Sequence, residues 1–260
     1  MTKASHPDVA ALVLAAGMGK RMNSDLAKVL HPMCGQPLLA HVLAALDETG
    51  VGRVLVVVGH QRDRVRSAFP RPGIEWVVQA EQHGTGHAIQ VAAPALAGFS
   101  GNLLVVCGDT PLLRGATLRA LLEHHAARGA AVTVLSTRVP DPSGYGRIVR
   151  DAGAGRVAIV EERDATPAQK SIDEINSGIY VFRYPVLEAV LGRLTTGNAQ
   201  GEYYLTDTLS LVQDAGHPAE VLCAGDWREM LGINTPEQLA EAERIHARRH
   251  GGLGAEPGRQ

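Results

Sequence analysis

The sequence predicts an α/β protein whose central sheet is mostly parallel and flanked by helices. Two observations carry this. Continuous apolar runs rich in Val and Leu recur at 9–15, 54–58, 76–78, 103–107 and 131–135. Strands apolar at every position are buried on both faces, which is what a parallel sheet requires. The second observation is the alternation of these runs with segments of helical spacing, which places helices over both faces of the sheet.

The elements follow in order. The strand at 9–15 opens onto the loop LAAGMGKRMNSDLAKVLH at 14–31. A helix over 38–46 starts just after Pro37, a residue suited to a first turn, and stops before Gly50. Helical spacing returns over 88–96 and 118–127. After residue 140 the pattern changes: short strands at 148–150, 157–160 and 175–182 come without long intervening helices, which predicts a mixed or antiparallel extension. Helices return at 185–194, 205–215 and 236–249, the last with Thr235 as N-cap and Pro236 in its first turn. The Gly-rich segment 251–260 reads as a flexible tail.

Bulk composition narrows the function classes. The 260 residues are 45% apolar and 20% charged, near the globular average. A net charge of −2 gives no bulk attraction for nucleic acid, so any anion site must be local. Cys34, Cys107 and Cys223 are far apart and form no Cys-x-x-Cys pair, which argues against a disulfide framework and suits a reducing cytoplasm. The N-terminus carries no long apolar segment, and VAALVLAAG is too short to span a bilayer. The expectation is a cytoplasmic protein with no membrane and no nucleic-acid partner.

The loop at 14–31 fits neither common phosphate fingerprint. Gly17 and Gly19 begin a G-x-G-x-x-G pattern, but Met22 stands at the third glycine. Gly19-Lys20 is followed by Arg21, so the Walker pattern fails as well. The physics still favours an anion. Two glycines let backbone N–H groups come close, Arg21 offers a fork of donors, and Lys28 is a compact point charge. The bland alternative is a connection with solvated surface charges.

The loop resembles the signature of sugar-1-phosphate nucleotidyltransferases, L-A-A-G-x-G-[TK]-R-M-x-S…P-K-V-L. The likeness is strongest to the uridyltransferase domain of bacterial bifunctional N-acetylglucosamine-1-phosphate uridyltransferase/glucosamine-1-phosphate acetyltransferases. Further motifs follow in the expected order: QAEQHGTGHA at 79–88, GDTPLL at 108–113, DPSGYGRIVR at 141–150, EERDAT at 161–166, EINSGIY at 174–180, NAQGEYYLTD at 198–207 and GINT at 232–235. Together they cover roughly residues 10–245. There are departures. Ala27 stands where proline is usual before the lysine, and Cys107 where an aromatic is frequent. After Gln260 no sequence remains for the β-helical acetyltransferase domain, so no acetyl-CoA site is expected.

The resemblance implies a Rossmann-like nucleotidyltransferase fold over residues 1–250. It divides into a nucleotide-binding part at about 1–139, a sugar-phosphate-binding part at 140–235 and a C-terminal helix at 236–249. It implies uridylyl transfer from UTP to N-acetylglucosamine 1-phosphate, giving UDP-N-acetylglucosamine and pyrophosphate for cell-envelope synthesis. Arg21 would meet the β,γ-phosphates, and Lys28 would contact the α-phosphate or bridge the two phosphates. Leu14, Ala15, Ala16, Gly17, Gly19, Gln79, Gly84 and Thr85 would bind the nucleotide. Gly146, Glu161 and Asn176 would bind the sugar phosphate. Asp109 and Asn234 would hold Mg²⁺.

Other readings compete. Asp109 could form an Asx-turn or cap the helix after Pro111, and Asn234 could be a turn residue before Pro236. His83 and His87, four apart, could suggest zinc, but Gly84 and Gly86 interrupt the helix and no third ligand is placed nearby. The two Tyr of GEYYLTD read as packing with some contact to the site. His124, His125, His246 and His250 read as solvated on charged helix faces. For the whole chain, the alternatives are another sugar 1-phosphate such as glucose 1-phosphate, another nucleotide, or a non-catalytic sugar-nucleotide-binding module.

Overall fold

The computed structural model describes residues 6–151, 153 and 155–250. The chain runs β1 (His6–Ala15), a short hairpin of β2 (Pro32–Met33) and β3 (Gln36–Pro37), α1 (Leu38–Asp47), β4 (Val51–Val58), α2 (Arg62–Ala68), β5 (Ile74–Val78), α3 (Thr85–Ala92), β6 (Asn102–Cys107), α4 (Gly115–Arg128) and β7 (Val132–Arg138). It continues with β8 (Arg147–Asp151), β9 (Arg156–Val160), α5 (Pro167–Lys170), β10 (Glu174–Arg183), α6 (Tyr184–Leu191), α7 (Asp207–Asp214), β11 (Ala219–Ala224) and α8 (Pro236–His250).

The main sheet has the order β11-β7-β10-β6-β1-β4-β5. Strands β6, β1, β4 and β5 are parallel neighbours. Because strand side chains alternate, β1 feeds two cores. Val9, Ala11 and Val13 pack with Leu39, Val42 and Leu46 of α1 and Leu118, Leu121 and Leu122 of α4. Ala10 and Leu12 pack with Ile89 of α3, Leu187 and Val190 of α6, and Leu209 and Val212 of α7 on the other face. Each such fully buried Val or Leu contributes roughly 1.5–3 kcal/mol of transfer free energy. A third cluster docks Ala242 and Ile245 of α8 against Met22, Met33, Leu112 and Ile233, which fixes the C-terminal helix beside the 14–31 loop.

The predicted parallel sheet is present, with several features that differ from expectation. The strand read at 175–182 as part of an extension is β10, ten residues long and central, antiparallel to both β6 and β7. Ile175, Ile179, Tyr180, Val181 and Phe182 are all buried, as a strand covered on both faces must be. The extension itself is the antiparallel β8–β9 hairpin, joined to β10 through Ile175 and Arg147. Strand β11, parallel to β7 at the sheet edge, and helix α2 were not anticipated.

Helix starts follow local chemistry. Thr235 Oγ1 accepts the Gln238 N–H at 3.3 Å while Gln238 Oε1 accepts the Thr235 N–H at 3.1 Å, a reciprocal cap for α8. α1 starts at Leu38, just after Pro37 as expected, with Pro37 as its N-cap. The predicted helix 88–96 is α3 followed by a 3-10 turn, Ala93–Leu96, with Pro94 near its start. Among the described residues no helix is long and apolar enough to cross a membrane. The predicted tail, 251–260, lies outside the described residues.

Candidate active site

The loop after β1 is shaped by its glycines. Gly19 adopts φ +68, and a Cβ there would lie 2.7 Å from the Lys28 Cβ, so any side chain would collide with the lysine stem. Gly17 lines a cleft of ≈ 270 Å³, yet nothing lies within 4 Å of where its Cβ would be. That space is open to a ligand approaching the backbone. The same cleft is lined by Leu14, Ala15, Ala16, Lys28, Gln79, Gly84, Thr85 and Asp109.

Lys28 joins three distant motifs. Its Nζ donates to Asp109 Oδ2, and to Asn234 Oδ1 at 3.1 Å. Asp109 follows β6, held by the Gly108 N–H donating to the Leu14 carbonyl at 2.9 Å. The Ile233 N–H donates to the Asp109 carbonyl at 2.9 Å, which pins the GINT segment against the same turn. Asp109 therefore neither forms an Asx-turn nor caps a helix: α4 starts at Gly115, with Arg114 as its N-cap. The Lys28 and Asp109 side chains are 15% and 16% exposed, so the pair is accessible from the cleft and not sealed in the core.

Gln79 forms the opposite wall. It is buried, and its backbone N–H donates to the Val58 carbonyl at 2.8 Å. Its Nε2 donates to the Gly84 carbonyl at 3.1 Å and lies 3.1 Å from His87 Nδ1. Both contacts use the NH₂ end, leaving Oε1 as the atom available to a ligand. Gly84 adopts φ +103, and a Cβ there would lie 2.6 Å from the Tyr203 carbonyl. The 83–86 turn and Tyr203 exchange backbone bonds, Tyr203 N–H to His83 O and Gly86 N–H to Tyr203 O, both at 2.8 Å. The GEYYLTD segment thus closes the Gln79 side of the cleft through its backbone, and the Tyr204 hydroxyl donates to Asp164 at 3.3 Å. The zinc alternative finds no support: His83 meets Glu81 at 2.8 Å, and no cluster of three or more metal-binding His, Cys, Asp or Glu occurs among the described residues.

The three residues expected at the sugar form a second group beside the cleft. The Asn176 N–H donates to the Gly146 carbonyl at 2.8 Å, and a Cβ on Gly146 would sit 3.4 Å from Glu161 Oε2. Thr206 Oγ1 donates to Glu161 Oε1 at 3.2 Å. Burial pushes the Glu161 carboxyl above its ordinary range, against the Thr206 hydrogen bond that favours the charged form. Cys107 connects the two groups. It lines the cleft, and its Sγ donates to the Gly178 carbonyl at 3.6 Å, while the Gly178 N–H donates to Asn176 Oδ1 at 3.0 Å. Burial, reinforced by Asp109, pushes the Cys107 thiol up to about 12, so it stays neutral. Glu162, next in sequence, turns away to pair with Arg147 at 2.7 Å.

Not every expected residue lines the cleft. Arg21 is exposed on a 3-10 turn, Lys20–Met22, and makes no side-chain hydrogen bond or ion pair among the described residues. Gly19 lies behind Lys28 and not on the cleft wall. Sequence reasoning missed Gln82 and Glu202, which line the cleft, and Thr206, which holds Glu161. All three stand within quoted motifs, but nothing in their spacing marks a role.

The MobA-like NTP transferase domain family matches residues 11–231. The chain belongs to this family. Among curated relatives, the bifunctional protein GlmU of Pelobacter propionicus is 49% identical over 243 residues, covering 93% of this chain and 53% of that protein. The bifunctional protein GlmU of Streptomyces coelicolor is 51% identical over 240 residues, covering 91% of this chain and 50% of that protein. This NTP transferase chain therefore spans about half the length of the curated relatives it matches. A structure from Bacillus anthracis, assigned as a glucose-1-phosphate thymidylyltransferase, superposes with a TM-score of 0.75 at 19% identity, covering 91% of this chain and 94% of that one. At that identity the match establishes a shared α/β fold.

Proposed function

We propose that this chain transfers a uridylyl group from UTP to N-acetylglucosamine 1-phosphate, releasing pyrophosphate. The observation that carries the reading is the meeting of Lys28, Asp109 and Asn234 at a cleft whose far wall is Gln79, Gly84 and Thr85. The half-length match to bifunctional GlmU proteins supports the choice of reaction.

The chemistry follows from charge. An oxygen of the sugar phosphate attacks the α-phosphorus of UTP in line, forming one P–O bond as the bond to the departing pyrophosphate breaks. The attacking oxygen is already anionic, so no strong general base is needed. Catalysis reduces to positioning and charge neutralisation. Lys28 meets the α-phosphate, and Arg21 draws the β,γ-phosphates. The backbone from Leu14 to Gly17 and the turn at Gly84 and Thr85 hold the nucleotide, with Gln79 Oε1 accepting the uracil N3–H. Gly146, Glu161 and Asn176 hold the sugar.

Asp109 and Asn234 are hard oxygen donors turned toward one cation, the Lys28 ammonium, and this donor chemistry fits a divalent metal. We assign them as the residues that would hold Mg²⁺, which would supply neutralisation of phosphate charge. By the same reading the reaction belongs to the cytoplasm and supplies cell-envelope precursors.

A pyrophosphate-release assay with Mg²⁺ over UTP, CTP and dTTP, each with N-acetylglucosamine 1-phosphate or glucose 1-phosphate, tests the proposal. The expected maximum is UTP with N-acetylglucosamine 1-phosphate. Release with glucose 1-phosphate alone would correct the sugar, and no release with any pair would leave a binding module.

A further inference from the structure

Gln61 lies outside the cleft, in the connection between β4 and α2, yet it grips the loop that carries Lys28 at two points. Its Oε1 accepts the Ala27 N–H at 3.1 Å, across 34 residues of sequence. Its Nε2 donates to the Asp25 carbonyl. The one amide thus ties down the chain immediately before the 3-10 turn Lys28–Leu30. Ala27 is 2% exposed, so without Gln61 its N–H would be a buried donor with no partner. Gln61 itself sits at φ 50, ψ 35, a left-handed conformation that residues other than glycine adopt only where the surroundings enforce it. Strain and two long-range side-chain bonds on one residue point to a constraint on the loop.

We propose that Gln61 is a positioning residue for Lys28. Its side-chain amide fixes the 25–27 backbone, and through it the lysine stem, so that the ammonium reaches Asp109, Asn234 and the reacting phosphates. This rests on the reading of Lys28 given above. Ala27 has φ −53, a value proline also adopts, so a proline there would restrain the backbone covalently and present no N–H to satisfy.

The test is a double-mutant cycle in the pyrophosphate-release assay. Gln61→Gly removes the amide while suiting the left-handed backbone. It is expected to lower kcat about tenfold, the scale of a misplaced catalytic group, with KM values little changed. Ala27→Pro alone displaces the Gln61 acceptor and lowers kcat as well. In the Gln61→Gly background the same proline is expected to restore kcat to within about twofold of wild type. Wild-type kcat in Gln61→Gly, or no recovery on adding the proline, overturns the proposal. Should Gln61→Gly fold poorly, Gln61→Glu keeps an acceptor for Ala27 but not the donor to Asp25; an intermediate kcat is expected, and wild-type kcat overturns the clamp. Lys28→Ala separates the two claims. If it turns over normally, the reading of Lys28 fails and the clamp with it; if it is impaired while Gln61→Gly is not, the clamp alone fails.

Discussion

The Lys28 ammonium is bonded to the Asp109 carboxylate across 81 residues of sequence, and the same ammonium reaches Asn234 a further 125 residues on. A side-chain cation therefore bridges the two oxygen donors proposed for Mg²⁺. The lysine answers the same donors that the proposed metal would use, and phosphates entering the cleft would draw the ammonium onto themselves.

Metal dependence should follow from this arrangement. Asp109→Asn keeps the shape of the side chain but removes its charge, the larger part of the attraction for a hard cation. The Mg²⁺ concentration giving half-maximal turnover is expected to rise at least about tenfold, the scale of one lost charge-assisted contact. Titrating Mg²⁺ at saturating substrates checks it. An unchanged Mg²⁺ midpoint would remove Asp109 from the ligand set.

Base selection should depend on His87. Its Nδ1 and the Gly84 carbonyl engage the Gln79 NH₂, leaving Oε1 for the proposed uracil contact. That acceptor matches the N3–H of uracil and opposes the N3 lone pair of cytosine. His87→Leu frees the amide to turn over. The ratio of kcat/KM for UTP over CTP is then expected to fall about tenfold, the worth of one hydrogen bond. A ratio equal to wild type would show that Gln79 is oriented by other contacts.

Glu161 should trade stability for sugar binding. Its carboxyl is raised by burial, so the folded protein binds a proton more readily than the unfolded chain does. The sign follows: ionising Glu161 destabilises the fold, and the cost grows as pH rises from the ordinary glutamate range through the raised value. Glu161→Gln is expected to raise the denaturation midpoint at pH 7, with the gain shrinking toward pH 4, while KM for the sugar phosphate increases. Urea melts at the two pH values decide it; a variant no more stable at pH 7 than wild type contradicts the argument.

His125 should shape the acid limb of stability. It was read as a solvated histidine on a charged helix, and the fold corrects this. His125 is buried, with Nδ1 2.8 Å from Thr133 Oγ1 on β7, and burial lowers it to about 4. The unfolded chain takes up a proton near pH 6.5 that the folded protein refuses until about pH 4. Stability contributed by the neutral ring is therefore complete above pH 6.5 and lost as pH falls toward 4. His125→Asn is expected to flatten the stability profile over that window, which urea melts at stepped pH would show; an unaltered slope would contradict it.

These cases show where the sequence is legible. Apolar runs such as LVLA in β1 and LLVVC in β6 declare buried parallel strands because every position is covered, and a carboxylate at such a strand end faces the crevice. Asp109 was readable for that reason. β10 was harder to place, because Asn176, Ser177 and Gly178 interrupt its apolar start and its partners are distant in sequence. β11 is only half-buried, and α2 has four charged residues in seven with Val65 buried, so neither carries a clear period. The burial of His125 depends on a hydroxyl from another element, and the role of Gln61 on a backbone conformation no composition announces. Ala27 stands in the sequence where proline is usual, and the fold gives its N–H to Gln61.

The most direct measurement is the turnover of Lys28→Ala at saturating UTP, N-acetylglucosamine 1-phosphate and Mg²⁺, beside a wild-type control. The account predicts a kcat lower by about 10²–10³, the scale of one lost electrostatic donor at the reacting phosphates. Near wild-type kcat under those conditions would contradict it, because a cation that only holds Asp109 and Asn234 in place would not be needed in the transition state.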